Sequence, residues 1–209
     1  MDIVTGLEKQ RGKMRMIINE DTAILVPMSL FREMPFQVGD PIDMDDYDHW
    51  LMLRQYRHAL DRAVVFLTAR ARSKKEVERK LLQCGYLPST VEMVLLKLET
   101  MNILNDADFA AQWVEARGDK LLGKRRIQQE LRQKGISQEE ADAAISSLDD
   151  DSQQEQANRL AAKLASRYAK DEPRKATQKL MQALVRRGFD WETAKQATSN
   201  ALNSSFEDE

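Results

Sequence analysis

The side chains best suited to chemistry in this sequence are cations, and they recur. Lys74-Lys75, Lys124-Arg125 and Arg174-Lys175 follow one another at intervals of 50 residues, with Arg126 extending the middle pair. The segment Arg117 to Lys134 holds seven basic residues (Arg117, Lys120, Lys124, Arg125, Arg126, Arg132 and Lys134) against Asp119 and Glu130. Pro173 to Phe189 holds five and no acid, and Arg70 to Lys80 holds six against Glu76 and Glu78. Ammonium and guanidinium groups in such runs recognise phosphates and carboxylates through charge-assisted hydrogen bonds. The chemistry they offer is binding.

Covalent and acid–base chemistry has little to work with. Cys84 is the lone cysteine and stands one residue before Gly85 near the end of an amphipathic segment. A buried structural thiol is expected there, because apolar surroundings raise a thiol's pKa and disarm it as a nucleophile. His49 and His58 are nine apart, outside the i,i+3 or i,i+4 reach of one helix face. Gly118 and Gly123 are not followed by the lysine and hydroxyl residue of a phosphate loop, and no dinucleotide-binding glycine pattern occurs. Asp106, Asp108 and Asp149 to Asp151 read as helix caps and a solvated linker. The expectation is therefore no catalytic residue, no cofactor and no metal.

The elements that must position these cations are helices. The chain has 209 residues, 42% of them apolar and 32% charged, with only eight glycines and five prolines. So few turn makers argue against an all-β sandwich. Lys and Arg number 32 against 34 Asp and Glu, so overall charge advertises neither a nucleic-acid binder nor an acidic tail. No stretch approaches the roughly 20 apolar residues that span a bilayer, and one cysteine suits a reducing compartment. A cytoplasmic monomer without a membrane partner is expected.

Residues 1–43 differ in texture from the rest. Lys13 to Ile18 and Thr22 to Val26 are short Ile-, Val- and Met-rich runs separated by Asn19-Glu20-Asp21, which predicts a hairpin in a small β-containing N-terminal extension. From Asp45 the period lengthens to about 3.6. Asp45 or Asp46 is placed to cap a helix through Trp50, Leu51 and Leu53 toward Leu60, Ala63, Val64 and Leu67, as one helix or two.

An internal repeat organises the remainder. A shift of 50 lays Val77 on Ile127, Leu81 on Leu131, Gly85 on Gly135 and Leu98 on Leu148, and a third copy places Leu180, Leu184 and Gly188 in the same roles. Each copy reads as three helices. The second opens with Ser73 and Glu76 as a capping box in copy one and closes at Gly85, Gly135 or Gly188. The third is expected to begin at Ser89, Ser137 or Asp190. The predicted fold class is mainly α: three tandem three-helix repeats in an elongated, curved array, with the β-containing extension in front. The divisions fall at 1–43, 44–103 (helical lead-in and repeat one), 104–150 (repeat two) and 151–209 (repeat three), with a hinge at Asp149 to Gln154.

The recurrent cations fall in the first turn of each second helix, where the helix dipole disfavours them by roughly 0.3–1 kcal/mol each. A local rule broken three times points to binding. Helix-turn-helix readout of DNA bases is argued against by Ser137-Gln-Glu-Glu-Ala-Asp142, which puts three carboxylates where phosphates would approach. Backbone contact by the basic turns remains open.

Copy two, with Leu104-Asn105-Asp106, Phe109-Ala110, Trp113-Val114, Arg117, Gly123-Lys124-Arg125-Arg126-Ile127, Glu130-Leu131 and Lys134-Gly135-Ile136, resembles the core signature of the RecX regulators of bacterial RecA recombinase. Ala63, Leu67, Arg72-Ser73, Val77, Lys80-Leu81 and Gly85 look like the family's preceding segment. Lys124 departs from the proline that many members carry after the glycine. The resemblance implies a non-enzymatic modulator that binds RecA filaments on single-stranded DNA. It would limit their extension and so lower ATP hydrolysis, strand exchange and coprotease activity. Its candidate contacts to RecA or to DNA, single- or double-stranded and independent of sequence, are Arg117, Lys124, Arg125, Arg126 and Lys134, extended by Lys74, Lys75, Arg174 and Lys175. The rival is a DNA-binding helical protein that acts on the phosphate backbone without RecA.

Overall fold

The computed structural model describes residues 1–168 and 171–207. The chain divides into two compact units, Met1–Leu104 and Asn105–Glu209.

The first unit opens with β1 (Asp2–Gln10), β2 (Lys13–Ile18) and β3 (Thr22–Pro27), and β4 (Pro41–Ile42) joins the start of β1 to give the order β3-β2-β1-β4. All the pairings are antiparallel. The expected hairpin is β2 with β3, reversed through Asn19 and Glu20 at φ 51° and 71°. β1 adds a strand that the hairpin pattern did not include. Val4, Met16, Ile18 and Val26 of the sheet pack with Leu30 and Phe31 of α1 (Met28–Glu33), with Ile42, and with Tyr47 and Leu51 of α2 (Met44–Thr68).

α2 is a single helix of 25 residues. Its cap is Asp43, whose carboxylate accepts the N–H groups of Asp45 and Asp46 at 3.0 and 3.1 Å. The two residues placed as candidate caps are thus first-turn acids. The buried stripe runs at four-residue spacing through Tyr47, Leu51, Gln55, Ala59 and Ala63. Val64 flanks this stripe and is exposed, against the expectation that it faces the core. Midway the stripe changes partner. Tyr47 and Leu51 face the sheet, while Ala59 and Ala63 join Val77 and Leu81 of α3 (Lys74–Cys84) and Val91, Val94, Leu95 and Leu98 of α4 (Pro88–Thr100). α4 starts at Leu87 and Pro88 rather than at Ser89. Proline at the first position has no N–H for a cap to satisfy. The Ser89 hydroxyl donates instead to Asp48 of α2 at 2.8 Å.

The second unit holds two three-helix sets, α5 (Asp106–Gly118), α6 (Lys124–Gln133) and α7 (Gln138–Ile145), then α8 (Asp150–Tyr168), α9 (Pro173–Arg186) and α10 (Trp191–Glu207). Phe109, Ala110, Val114, Ile127, Leu131, Ile136 and Ala141 form the first core. Leu160, Ala161, Leu180, Leu184, Phe189 and Ala194 belong to the second, and Leu121, from the loop between α5 and α6, is buried in it. One repeat therefore lends an apolar side chain to the core of the next.

The repeat survives in three dimensions, with three extra residues in its third copy. α3, α6 and α9 end at Gly85, Gly135 and Gly188, with φ of 85°, 84° and 95°. The N–H groups of Tyr86, Ile136 and Phe189 reach back to the carbonyls of Leu81, Leu131 and Leu184 at 3.3, 3.1 and 3.3 Å. This is the same Schellman ending three times. The segment read as a hinge is instead the start of α8. The Asp149 carboxylate accepts the Ser152 N–H at 2.6 Å, and Gln153 is buried.

Candidate partner-binding surface

The recurrent cations do stand at helix starts, and each start satisfies its free amides in its own way. At α3, the Ser73 hydroxyl accepts the Glu76 N–H at 3.3 Å and the Glu76 carboxylate accepts the Ser73 N–H at 3.4 Å. That carboxylate is also held by Arg70 at 2.8 Å. The start is closed within its own repeat. α6 begins at Gly123, which has no side chain to cap with. Its amides are met by the following repeat: Gly123 N–H donates to Arg187 O at 3.0 Å, Lys124 N–H to Gln153 Oε1 at 3.0 Å and Arg125 N–H to Gly188 O at 3.1 Å. Carbonyls at the end of α9 thus point into the positive end of α6, which offsets the cost of cations there. A methyl on Gly123 would lie 2.3 Å from Gly188 C, and one on Gly188 would lie 2.4 Å from Arg126 N. Only glycine permits two backbones this close. α9 begins at Pro173 with no side-chain cap.

The candidate residues fall into four groups by what their heads touch. Lys74 pairs with Glu99 at 2.7 Å, Lys75 with Glu78 at 2.8 Å and Lys175 with Glu172 at 3.3 Å. Arg117 and Lys134 form a stack on Trp113: the Arg117 guanidinium sits 3.9 Å and the Lys134 ammonium 5.0 Å from the ring centroid. Glu130 ties this stack together, accepting Arg117 Nε at 2.5 Å and the Trp113 indole N–H at 3.1 Å, with Arg126 Nε at 3.6 Å. Lys124 reaches Asp150 at 2.8 Å. Arg125 and Arg174 are exposed and have no side-chain partner among the described residues. Arg174 and Lys175 sit at the opposite end of α9 from Gly188, about 20 Å away along the helix.

The α6–α9 junction also gathers cations that were counted in the basic runs but not singled out. Lys120, Arg186 and Arg187 are exposed, and Arg187 Nη1 lies 3.5 Å from the Lys120 carbonyl. Trp191, three residues past Gly188, is 63% exposed. Arg186-Arg187 directly before a helix-ending glycine is the signal that could have marked them. Two aspartates at the junction are held as anions. The Ser152 N–H and hydroxyl, with Lys124 adding to them, keep Asp149 below the usual carboxylate range. Partial burial pushes Asp190 up, but the N–H and hydroxyl of Thr193 outweigh it and leave the group below that range.

Cys84 is half-buried rather than buried, and its carbonyl accepts the Lys13 ammonium at 2.8 Å. Among the described residues no helix is long and apolar enough to cross a membrane, and no three His, Cys, Asp or Glu side chains are grouped to hold a metal.

Comparison with known proteins matches these repeats one by one. The first three-helix domain of RecX matches residues 59–98, the second 105–145 and the third 151–198. A regulatory protein RecX from Clostridioides difficile is 30% identical, the match covering 97% of each chain. This chain belongs to the RecX family. A RecX of Prosthecochloris aestuarii is 34% identical over 71% of this chain and 96% of its own. One from Listeria monocytogenes is 28% identical over 94% of this chain and 73% of its own. A crystal structure of regulatory protein RecX resembles the fold with a TM-score of 0.68 at 25% identity, covering 95% of this chain and all of the other. RecX from Lactobacillus salivarius gives 0.67 at 27%, covering 71% and 97%. The first RecX domain begins at Ala59, where the α2 stripe passes from the sheet core to the helical core.

Proposed function

We propose that this RecX-family protein regulates RecA by binding RecA filaments on single-stranded DNA and restraining their extension, with ATP hydrolysis, strand exchange and coprotease activity falling as a consequence. The observation that carries the reading is the match of all three consecutive RecX domains to the three helical repeats. The mechanism needs no reaction on this chain. Similar units linked in one chain engage successive sites of a polymer, and linked weak contacts gain avidity far beyond any single one. The basic second-helix starts are the contact points in this reading, foremost Arg125 and Arg174, whose charged heads have no partner among the described residues. Lys74, Lys75, Lys124 and Lys175 would exchange a surface ion pair for one with the partner, at little cost because such pairs are worth about 0–1 kcal/mol, and Arg126 would give up its 3.6 Å contact with Glu130. Arg117 and Lys134 support this surface through the Trp113 stack. The setting is a cytoplasmic monomer acting at recombining DNA.

The test is the steady-state ATPase of RecA on single-stranded DNA, titrated with the protein. A rate that falls as protein is added supports the reading. A rate that does not change rejects it.

A further inference from the structure

The junction between α6 and α9 brings together more than the two backbones. Lys120, Arg125, Arg186 and Arg187 come from two repeats, all are exposed, and no acid pairs with any of them among the described residues. Three residues past Gly188, at the start of α10, stands Trp191 with 63% of its surface in water. The protein's other two tryptophans are occupied: Trp50 stacks on Tyr47, and Trp113 stacks on Phe109 and takes Arg117 and Lys134 against its ring. Of the acids nearby, Asp150 is paired with Lys124, while Asp119, Asp149, Asp190 and Glu192 keep their charge, Asp149 and Asp190 with their oxygens also serving as helix caps.

From this arrangement we infer that the junction is a composite site for single-stranded nucleic acid, in which the four cations follow the phosphodiester backbone and Trp191 stacks on a base. Unpaired cations beside an exposed aromatic ring are the combination that binds single strands without reading sequence. A duplex keeps its bases stacked and offers the indole no free face. The site exists only because Gly123 and Gly188 let the two repeats meet, since the Arg125 N–H to Gly188 carbonyl bond places one group of cations against the other. An acidic protein surface would satisfy the cations but would leave the indole unexplained. The inference deepens the RecA reading and rests on it for its setting, because that reading puts the protein beside single-stranded DNA.

The experiment measures binding of the full chain to a short fluorescein-labelled oligothymidylate by anisotropy across a salt series, with RecA absent. The wild type binds, with affinity falling steeply as salt rises. Trp191→Ala weakens binding roughly 5- to 100-fold and Trp191→Phe recovers most of it, as stacking requires. The triple variant Arg125→Ala, Arg186→Ala, Arg187→Ala flattens the slope of log affinity against log salt by up to about 2, since each phosphate contact on a single strand contributes about 0.7. Arg62→Ala, an exposed arginine of the first unit, binds as the wild type does. All these side chains are exposed, so unfolding midpoints should stay unchanged and exclude misfolding as the cause. Failure of the wild type to bind at low salt overturns the inference, as does binding that the Trp191 and arginine variants leave intact. Variants that lose inhibition of RecA without any change in DNA binding also overturn it, and assign the patch to an acidic protein face. DNA binding as described together with an unaltered RecA ATPase would remove the proposed function and leave this site standing.

Discussion

α3 and α6 occupy equivalent places in successive repeats and both begin with basic residues, yet one start is closed within its repeat and the other is completed by its neighbour. Ser73 and Glu76 cap α3 with their own side chains. Gly123 cannot, and α6 is capped by carbonyls of Arg187 and Gly188 and by Gln153. The same sequence position thus serves in one repeat as a self-contained helix start and in the next as a joint. A capped end keeps its cations among acids of its own repeat, as Lys74 with Glu99 and Lys75 with Glu78. A shared end couples them to whatever the adjoining repeat carries, here Arg186, Arg187 and Trp191.

The comparison breaks most severely at the glycines. Gly188→Ala puts a methyl against the Arg126 backbone at a φ of +95°, so we expect a loss of roughly 3 kcal/mol or more from strain and forced separation. Gly123→Ala meets the backbone of Gly188 and should cost a similar amount. Gly85→Ala, at an equivalent ending, meets only the movable end of Lys13, so about 1–2 kcal/mol of left-handed strain is expected. Denaturant unfolding of the three variants checks the order, and equal losses would dissolve the distinction between the two kinds of helix start.

Next come the caps. Gln153→Ala leaves the Lys124 N–H without its buried acceptor and should cost about 1–3 kcal/mol. Ser73→Ala removes half of the capping box, at about 1 kcal/mol, while Arg70 continues to hold Glu76. Thermal unfolding of each variant gives both numbers.

The smallest effect is a pH dependence carried by two caps of the second unit. Asp149 and Asp190 have depressed pKa values in the folded chain. A carboxylate of that kind contributes its stability above the unfolded-state value and loses it as pH falls through the folded one. Stability should therefore decline as the solution is acidified through the ordinary carboxylate range and below. Asp149→Asn keeps a capping oxygen without the charge, so it should flatten part of that decline when the unfolding midpoint is followed against pH.

Much of the helical architecture was legible in the sequence because a repeat supplies its own comparison. Gly85, Gly135 and Gly188 marked the same Schellman ending three times, Ser73 with Glu76 marked a capping box and Ser137 marked the start of α7, all as observed. Local rules read local geometry. What escaped them was set by partners distant in sequence. Ser89 followed by Glu92 looks like a cap, but Pro88 needs none and Asp48 of another helix takes the hydroxyl. Asp149 to Gln154 has the composition of a solvated hinge, and Gln153 is buried because α6 needs its oxygen. The joint itself could not be read from periodicity. Gly123 carries no cap of its own, and a missing cap says only that something else must fill the role. Of the candidate site, the recurrence of Arg125 and Arg174 followed from spacing, whereas their exposure, the placing of Arg117 and Lys134 on Trp113 and the pairing of Arg117 with Glu130 depend on how the helices of the repeat meet.

The central claim, that the basic start of α6 is a contact surface in the regulation of RecA, is tested most directly by the RecA ATPase on single-stranded DNA with wild-type protein and with Arg125→Glu. The account predicts that the wild type lowers the rate and that the charge reversal, at an exposed side chain, removes most of that effect while the unfolding midpoint stays where it was. Inhibition by Arg125→Glu equal to that of the wild type would contradict it.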